Sequence, residues 1–547
     1  MSHTVLRGKP NASQLYLDEV LNEILAAKGV VSDAKERDRL ILAEIAFHCL
    51  KKRPNATNMI NGSTGESFTN EQILKRAVSI ARSITARGAA GNNIMVVMRN
   101  HQNLFSIYWS LLLSGALPFM MDPSTTVYEL GYFLQLLEPS IVFCDREYYN
   151  DIKKSLDDLP DLKTEVYIGN EDDLLEDFIN GHSNDIDSFR IPEGNPEDTI
   201  LLLPTSGSTG LPKAVPLTNR GIVAHLPTSW TYHTKFPTPT NLVMVLTTAQ
   251  WMTFTMKITT CAVYHIPILV TPKKRTVEHV IEIIENFRPT WTFFNPAFAK
   301  GLLAVVRREQ IGSLETIILL GSLVTPDLVK EFKEKLHPDT HLCNGYGTTE
   351  TQGFIAVTDR DAEASSNGWV YNILHYKLID DNGAEVGPGS NGELYVKGEC
   401  VIKGYYKNKE AYSESFVDDW YKTGDWFHLD ENERLHFLER RKFNFKFRGC
   451  HVSPEEVEGV IGKLPGVHES VVVATDNGPA AAVVLLPEYD LTREYINKAL
   501  DSTLSDHKRL HGGIAFVDSL PHTHSGKLKR MECKKLIEEL LKDGKCF

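Results

Sequence analysis

Between residues 68 and 440 the chain repeats one alternation, in which short continuous apolar runs are separated by longer amphipathic stretches. The runs are Ile94-Met-Val-Val-Met98, Ile141-Val-Phe-Cys144, Leu242-Val-Met-Val-Leu246, Ile266-Pro-Ile-Leu-Val270, Thr290-Trp-Thr-Phe-Phe294 and Ile317-Ile-Leu-Leu320. Unbroken apolar runs of this length suit parallel strands covered on both faces. Residues 70–87, 277–287 and 326–336 between them carry helical patterns, the first with Thr69 as N-cap and Gln72 three positions later, part of a capping box. The alternation predicts an α/β fold of doubly wound sheets with helices on both faces. At 547 residues the chain is too long for one core. We expect a large N-terminal domain over 1–438, including a β-rich subdomain, and a small mobile α+β C-terminal domain over 439–547.

The C-terminal change is visible after residue 430, where residues 439–448 pack five basic side chains into ten positions. Ser453-Pro-Glu-Glu-Val-Glu458 then reads as a helix start, with Ser453 as N-cap and Pro454 at N1. Strands are expected at 470–474, 481–486 and 514–517, and helices from Thr492 and Arg530. Residues 170–198, acidic and punctuated by Asp, Gly and Asn, read as a solvated surface excursion. Residues 107–121 form the most apolar run, but Ser, Gly and Pro interrupt it short of the ~20 residues a membrane span needs. It reads as a buried helix followed by a turn.

A hydrophobic fraction of 42% with 24% charged residues is that of a soluble globular protein. The net charge of −13 argues against nucleic acid as a partner, and any site for a polyanion must be locally basic. The N-terminus lacks the apolar core of a signal peptide, and eight scattered cysteines suit a reducing compartment. The chain ends Lys545-Cys-Phe547, which does not match the Ser-Lys-Leu peroxisomal address, so a cytoplasmic location is expected, with a peroxisomal one left open.

The apolar segment 199–204 delivers Thr205-Ser-Gly-Ser-Thr-Gly-Leu-Pro-Lys213. Backbone N–H groups, hydroxyls and one lysine in nine positions can wrap a polyphosphate. The stretch is not a Walker A loop, because Pro212 precedes Lys213 and Ala214 follows it; read alone it is equally a Ser/Gly-rich linker. Downstream come Asn344-Gly-Tyr-Gly-Thr-Thr-Glu-Thr351, then Gly392-Glu-Leu-Tyr-Val-Lys-Gly398, Tyr421-Lys-Thr-Gly-Asp425, Glu439-Arg-Arg-Lys442 with Gly449, and His524-Ser-Gly-Lys527. Each is moderately specific alone.

In this order and at these separations the motifs resemble those of the adenylate-forming superfamily, in the group of acyl-CoA synthetases that includes 4-coumarate-CoA ligases and beetle luciferases. The similarity spans about residues 40 to 530. The resemblance implies that a carboxylic acid and ATP give acyl-AMP and pyrophosphate, and that CoA then captures the acyl group as a thioester, with Mg²⁺ required. It places Thr205, Ser206, Gly207, Ser208, Thr209, Gly210 and Lys213 on the leaving pyrophosphate. Gly345, Tyr346 and Gly347 would lie along adenine, Thr349 would donate to the α-phosphate, and Glu350 would hold Mg²⁺. Asp425 and Arg440 would bind ribose or phosphate, and Lys527 would bring the decisive positive charge to the reacting carboxylate and α-phosphate. Lys446 and Gly449 fall in the region that faces the site during CoA transfer, with Gly449 leaving room for the CoA arm.

The chain departs from the pattern where the acyl group is expected. Thr248-Ala-Gln-Trp-Met-Thr-Phe254 has Gln250 where relatives carry a histidine and Trp251 where they carry glycine. Trp251 either shortens the acyl tunnel or packs as an ordinary core residue. Gly321, Gln352, Gly353 and Phe354 complete the expected acyl pocket, Phe354 narrowing it, and Glu439 replaces the usual hinge aspartate. Two other readings share the fold: a luciferase-like monooxygenase acting on an adenylated luciferin, and a homologue that retains ATP or acyl-adenylate without turnover.

Overall fold

The computed structural model describes residues 11–542 apart from 124, 126, 206–211, 232, 322–323, 325, 359–365, 441–443, 487 and 522–529, with backbone alone at 297, 439–440, 455 and 530–531. The chain clusters into two compact units. Met1–Pro123, Leu137–Pro204 and Ala214–Leu438 form the larger; Ser124–Leu136, Thr205–Lys213 and Glu439–Phe547 form the smaller. Two short segments from within the first 438 residues therefore group with the C-terminal part.

The larger unit is α/β. Its first sheet runs in the order Glu165–Ile168, Ile141–Cys144, Asn93–Val97, Leu117–Met121, Thr199–Thr205, Lys213–Thr218, and its first four pairings are parallel. The second has nine strands, with a parallel centre built from Thr57–Asn61, Ile268–Val270, Val243–Met244, Trp291–Phe294, Thr316–Leu320 and His341–Thr348. Gly353–Val357 and Trp369–Val370 extend it antiparallel. The apolar runs behave as strands enclosed on both faces: all four residues of Ile141–Cys144 and of Trp291–Phe294 are buried. The run 242–246 forms only a two-residue strand, Val243–Met244.

Helix Asn70–Ala86 opens with a complete capping box: Gln72 N–H donates to Thr69 Oγ1 at 3.3 Å, and Thr69 N–H donates to Gln72 Oε1 at 2.8 Å. Helix Gln102–Ser114 is buried from Asn103 onward and ends at left-handed Gly115. Beyond Gly115 the chain forms a strand, Leu117–Met121, and not only the turn expected. The reading of 170–198 as solvated connection holds for 180–198, where no residue is buried, and is corrected for 172–179. Helix Asp172–Ile179 buries Leu175, Phe178 and Ile179, and the Phe178 carbonyl accepts from Ser83 Oγ at 2.6 Å. The acidic residues that suggested exposure occupy the polar face of an amphipathic helix.

A β-rich portion closes the larger unit. Glu385–Val386, His375–Ile379, Ser390–Lys397, Trp420–Leu429 and Phe416–Val417 pair antiparallel in that order, and Leu435–Arg440 adds to Trp420–Leu429. Strand Ser390–Lys397 alternates buried and half-buried positions, as a sheet with one wetter face requires.

In the smaller unit Val467–Thr475 pairs antiparallel with Gly478–Leu485, which pairs parallel with Gly513–Phe516. Alternate strand residues feed two cores. Val472, Ala481, Val483 and Ile514 pack with Val457, Ile461, Ile496 and Leu500 of helices Pro454–Ile461 and Arg493–Thr503. Val471, Val473, Ala480 and Ala482 pack with Cys533 and Ile537 of helix Arg530–Lys542. Pro454 stands at N1 as expected, but the Ser453 side chain makes no capping hydrogen bond. No helix among the described residues is long and apolar enough to cross a membrane.

Candidate active site

The signature 344–351 folds as the end of strand His341–Thr348, a turn, and a return along Gly353–Val357. Gly345 pairs with Val357 and Gly347 with Phe354. Gly347 is required by the protein itself: a Cβ there would lie 2.3 Å from the Gly353 carbonyl oxygen. The chain reversal closes at Gln352, whose N–H donates to the Thr349 carbonyl at 3.0 Å and whose φ is +55°.

The strand presents Tyr346 toward the β-rich sheet. Its Oη donates to Asp425 Oδ2 at 2.7 Å, and its ring meets the edge of Phe427 at 4.8 Å. Asp425 is buried in strand Trp420–Leu429, where its own N–H donates to Thr423 Oγ1 at 3.1 Å. The Tyr346 bond and the Thr423 contact hold the Asp425 carboxylate in a fixed orientation. Thus the residues assigned to adenine and to ribose, 79 positions apart, form one hydrogen-bonded pair.

Four residues beyond Tyr346, Glu350 is also buried, at 8% exposure. Its Oε1 accepts from Tyr405 Oη at 3.0 Å, and its carbonyl accepts from Ile402 N–H at 2.9 Å. Sequence reasoning misses Tyr405, which lies outside every motif; only the fold brings it to Glu350.

Gln352, Gly353 and Phe354 turn inward. The Gln352 side chain is wholly buried; its Oε1 accepts from Thr218 N–H at 2.7 Å, at the start of helix Asn219–His225. His225 of that helix donates from Nε2 to the Thr351 carbonyl at 2.8 Å, and its ring lies against Gly353. Burial draws the His225 pKa down to about 4, so the ring is neutral and Nε2 carries the proton. Phe354 is buried, with its ring 6.1 Å from that of Phe293.

Gln250 and Thr248 converge on one carboxylate, Gln250 Nε2 donating to Asp122 Oδ2 at 2.9 Å and Thr248 Oγ1 at 2.7 Å. Half-buried Trp251 caps the N-terminus of helix Met252–Val263. Gly321, with φ +95°, follows strand Thr316–Leu320.

The remaining candidates belong to the smaller unit. Half-buried Thr205 ends strand Thr199–Thr205, and buried Lys213 begins Lys213–Thr218. Lys446 lies in a hairpin of Phe445–Phe447 with Cys450–Val452, opposite His451. The hairpin turns at Arg448 and Gly449, with φ of +50° and +82°. Two successive positive φ angles mark a primed turn, and this is the first reason for glycine at 449. Arg440 ends strand Leu435–Arg440, described by backbone alone. Ser206, Gly207, Ser208, Thr209, Gly210 and Lys527 lie outside the described residues.

The family model for AMP-binding enzymes matches residues 46–406, and that for the AMP-binding enzyme C-terminal domain matches 456–527. The chain belongs to the AMP-binding enzyme family, within the adenylate-forming superfamily. It is similar to luciferin 4-monooxygenase of Photuris pensylvanica, 26% identical over 91% of this chain and 95% of that protein. It is similar to 4-coumarate–CoA ligase 1 of Petroselinum crispum, 24% identical over 91% and 94%. In fold it matches o-succinylbenzoate CoA synthetase of Bacillus subtilis, with a TM-score of 0.78 at 20% identity over 90% of this chain and 97% of that one.

Proposed function

We propose that the protein is an acid–thiol ligase: it activates a carboxylic acid with ATP to acyl-AMP, releasing pyrophosphate, and transfers the acyl group to CoA. The observation that carries this reading is the Tyr346–Asp425 pair, formed between two sheets, with buried Glu350 in the turn that follows the Tyr346 strand. The pair offers a flat aromatic face and an oriented carboxylate, the recognition set of a nucleoside. Glu350 offers a second carboxylate, positioned by Tyr405, where phosphates would follow.

Adenylation requires that the β- and γ-phosphates be held, that charge at the α-phosphorus be neutralised, and that the acid be positioned in line. The loop 205–213 is the proposed pyrophosphate grip, Thr349 the proposed donor to the α-phosphate, and Lys527 the proposed cation at the reacting centre. Among the described residues no group of three His, Cys, Asp or Glu side chains could hold a metal. A single carboxylate fits magnesium, which keeps waters and shares substrate phosphates, so Glu350 together with the nucleotide would hold it. Bound there, it would neutralise phosphate charge. Arg440, Lys446 and Gly449 are proposed to serve nucleotide and CoA binding, and Gln250, Trp251, Gly321, Gly353 and Phe354 to line the acyl group's path, with Gln352, expected there from the sequence, instead fixing the turn through Thr218. The proposed location is the cytoplasm.

Incubation with Mg-ATP, CoA and a pool of short, medium, long-chain and aromatic acids tests the reading, with products identified by mass spectrometry. An acyl-CoA is expected from the wild type. Asp425→Ala should raise the KM for ATP about tenfold or more, the scale of a lost charge-assisted bond. Light emission with a luciferin, in place of thioester, would favour monooxygenation, the activity named in the Photuris relative. Nucleotide binding without any pyrophosphate release would favour the non-turning-over reading.

A further inference from the structure

Lys257, in helix Met252–Val263, is wholly buried, and its Nζ has no hydrogen-bond acceptor. It sits over aromatic faces: 3.7 Å from the Trp291 ring centroid, 4.3 Å from Trp230 and 5.2 Å from Phe293. The rings of Trp230 and Trp291 are 5.8 Å apart, both residues are fully buried, and both indole Nε1–H groups also lack an acceptor. Three buried donors on adjoining side chains, none with an acceptor, are a costly arrangement for a folded protein. The cage is already filled by its own ammonium, so it is no receptor for a second cation. What it lacks is an anion. Burial draws the Lys257 pKa down to about 7, the Cys261 thiol one turn on acting weakly in the other direction, and an incoming anion would restore the charge.

The position of the cage says which part of a ligand could supply that anion. Trp251 caps the helix that carries Lys257, and six residues at 1.5 Å each place Lys257 about 9 Å farther along the axis. Phe293, the third wall, touches Phe354 of the 352–354 stretch. The cage therefore adjoins both stretches assigned to the acyl path, through the helix that Trp251 opens and through Phe354, and lies about 9 Å along that helix from Trp251. We propose that Lys257, with the indole N–H groups of Trp230 and Trp291, is a specificity site for an anionic group at the far end of the acyl chain, so that the preferred acids are dicarboxylic. This rests on the ligase reading above. The far carboxylate would accept from Nζ and from an indole N–H while the near one is adenylated.

The experiment pairs a homologous series of α,ω-dicarboxylic acids with the matching monocarboxylic acids. It reads product by mass spectrometry and binding by quenching of tryptophan fluorescence, in wild type, Lys257→Met and Trp291→Phe. Methionine matches the lysine stem, and replacing an unpaired buried cation by an apolar group spares the fold. The wild type should bind and turn over a diacid at least about tenfold better than its monoacid, the worth of a charge-assisted bond. Lys257→Met should erase or reverse that ratio while keeping monoacid turnover, and Trp291→Phe, which removes one N–H, should weaken diacid binding less. Lys257-dependent diacid binding without product would uphold the site and sink the ligase reading. Turnover of monoacids at an equal or better rate, with a ratio unmoved by Lys257→Met, would overturn the site and leave the ligase reading standing. Absence of diacid binding by either readout overturns it as well.

Discussion

At the scale of single residues, Gln352 separates two meanings of standing next to a functional motif. Its position after Glu350 suggests a pocket wall, but its amide is committed to Thr218, whose Oγ1 in turn accepts from Gly221 N–H at 3.1 Å to start helix Asn219–His225. A Cβ on Gly221 would fall 2.2 Å from Gln352 Nε2, so the contact is tight. Gln352→Ala leaves the Thr218 N–H without its acceptor and opens a hole, at a cost of about 1–3 kcal/mol. The expected outcome is a lower melting midpoint with the ranking of acids unchanged. A shifted acid preference at unchanged stability would return Gln352 to the pocket. The same scale shows why Tyr405 is invisible in the sequence: a tyrosine outside any pattern acquires a role only when Glu350 accepts from its hydroxyl.

Among the elements, the smaller unit holds a buried ionic cluster that no motif announces. Lys508 Nζ donates to Glu129 Oε1 and, at 2.8 Å, to Glu456 Oε1, while Ser505 Oγ donates to Glu129 Oε2 at 2.8 Å. It joins helix Val127–Leu137, helix Pro454–Ile461 and the turn Asp506–Lys508. Two carboxylates share one ammonium, so the cluster is one positive charge short. Burial first, with Glu129 adding to it, raises the Glu456 pKa to about 7 against the pull of Lys508. The folded state then holds a proton that the unfolded chain has already lost. This contribution is fully present below about pH 4.5 and disappears as pH climbs to about 7. Glu456→Gln keeps an acceptor for Lys508 and removes the titration. It should leave stability near pH 4 unchanged and raise it by roughly 1–3 kcal/mol at pH 8, checked by thermal melting at the two values. Equal effects at both would show that the proton is not held. Elements whose cause is local are legible in advance: the capping box at Thr69 and Gln72, the enclosed strands, Pro454 at N1. Helix Asp172–Ile179 escapes a composition-based reading because its acidic face outweighs three buried residues.

For the whole molecule, the legible part is the order of the motifs, and the illegible part is everything set by long-range pairing. Tyr346 and Asp425 meet because two different sheets, one mixed and one antiparallel, bring their strands together. The Lys257 cage gathers residues from 230, 257, 291 and 293 that have no common spacing. The division into two units also gives the proposed reaction a separable form. Glu350 and Asp425 belong to the larger unit, whereas Lys527, Lys446 and Gly449 belong to the smaller. If Lys527 supplies charge only while the acid is adenylated, Lys527→Ala should cut acid-dependent pyrophosphate exchange by roughly 10²–10³-fold, the scale of one lost electrostatic donor. Thioester formation from preformed acyl-AMP and CoA should survive, because the activated bond then already exists. Gly449→Ala places a Cβ at φ +82° and strains the hairpin turn by about 1 kcal/mol. It should slow thioester formation while pyrophosphate exchange holds. Opposite losses in the two variants would assign the half-reactions to different residues of one small unit; parallel losses would mean that the substitutions act through the fold of that unit and not through chemistry.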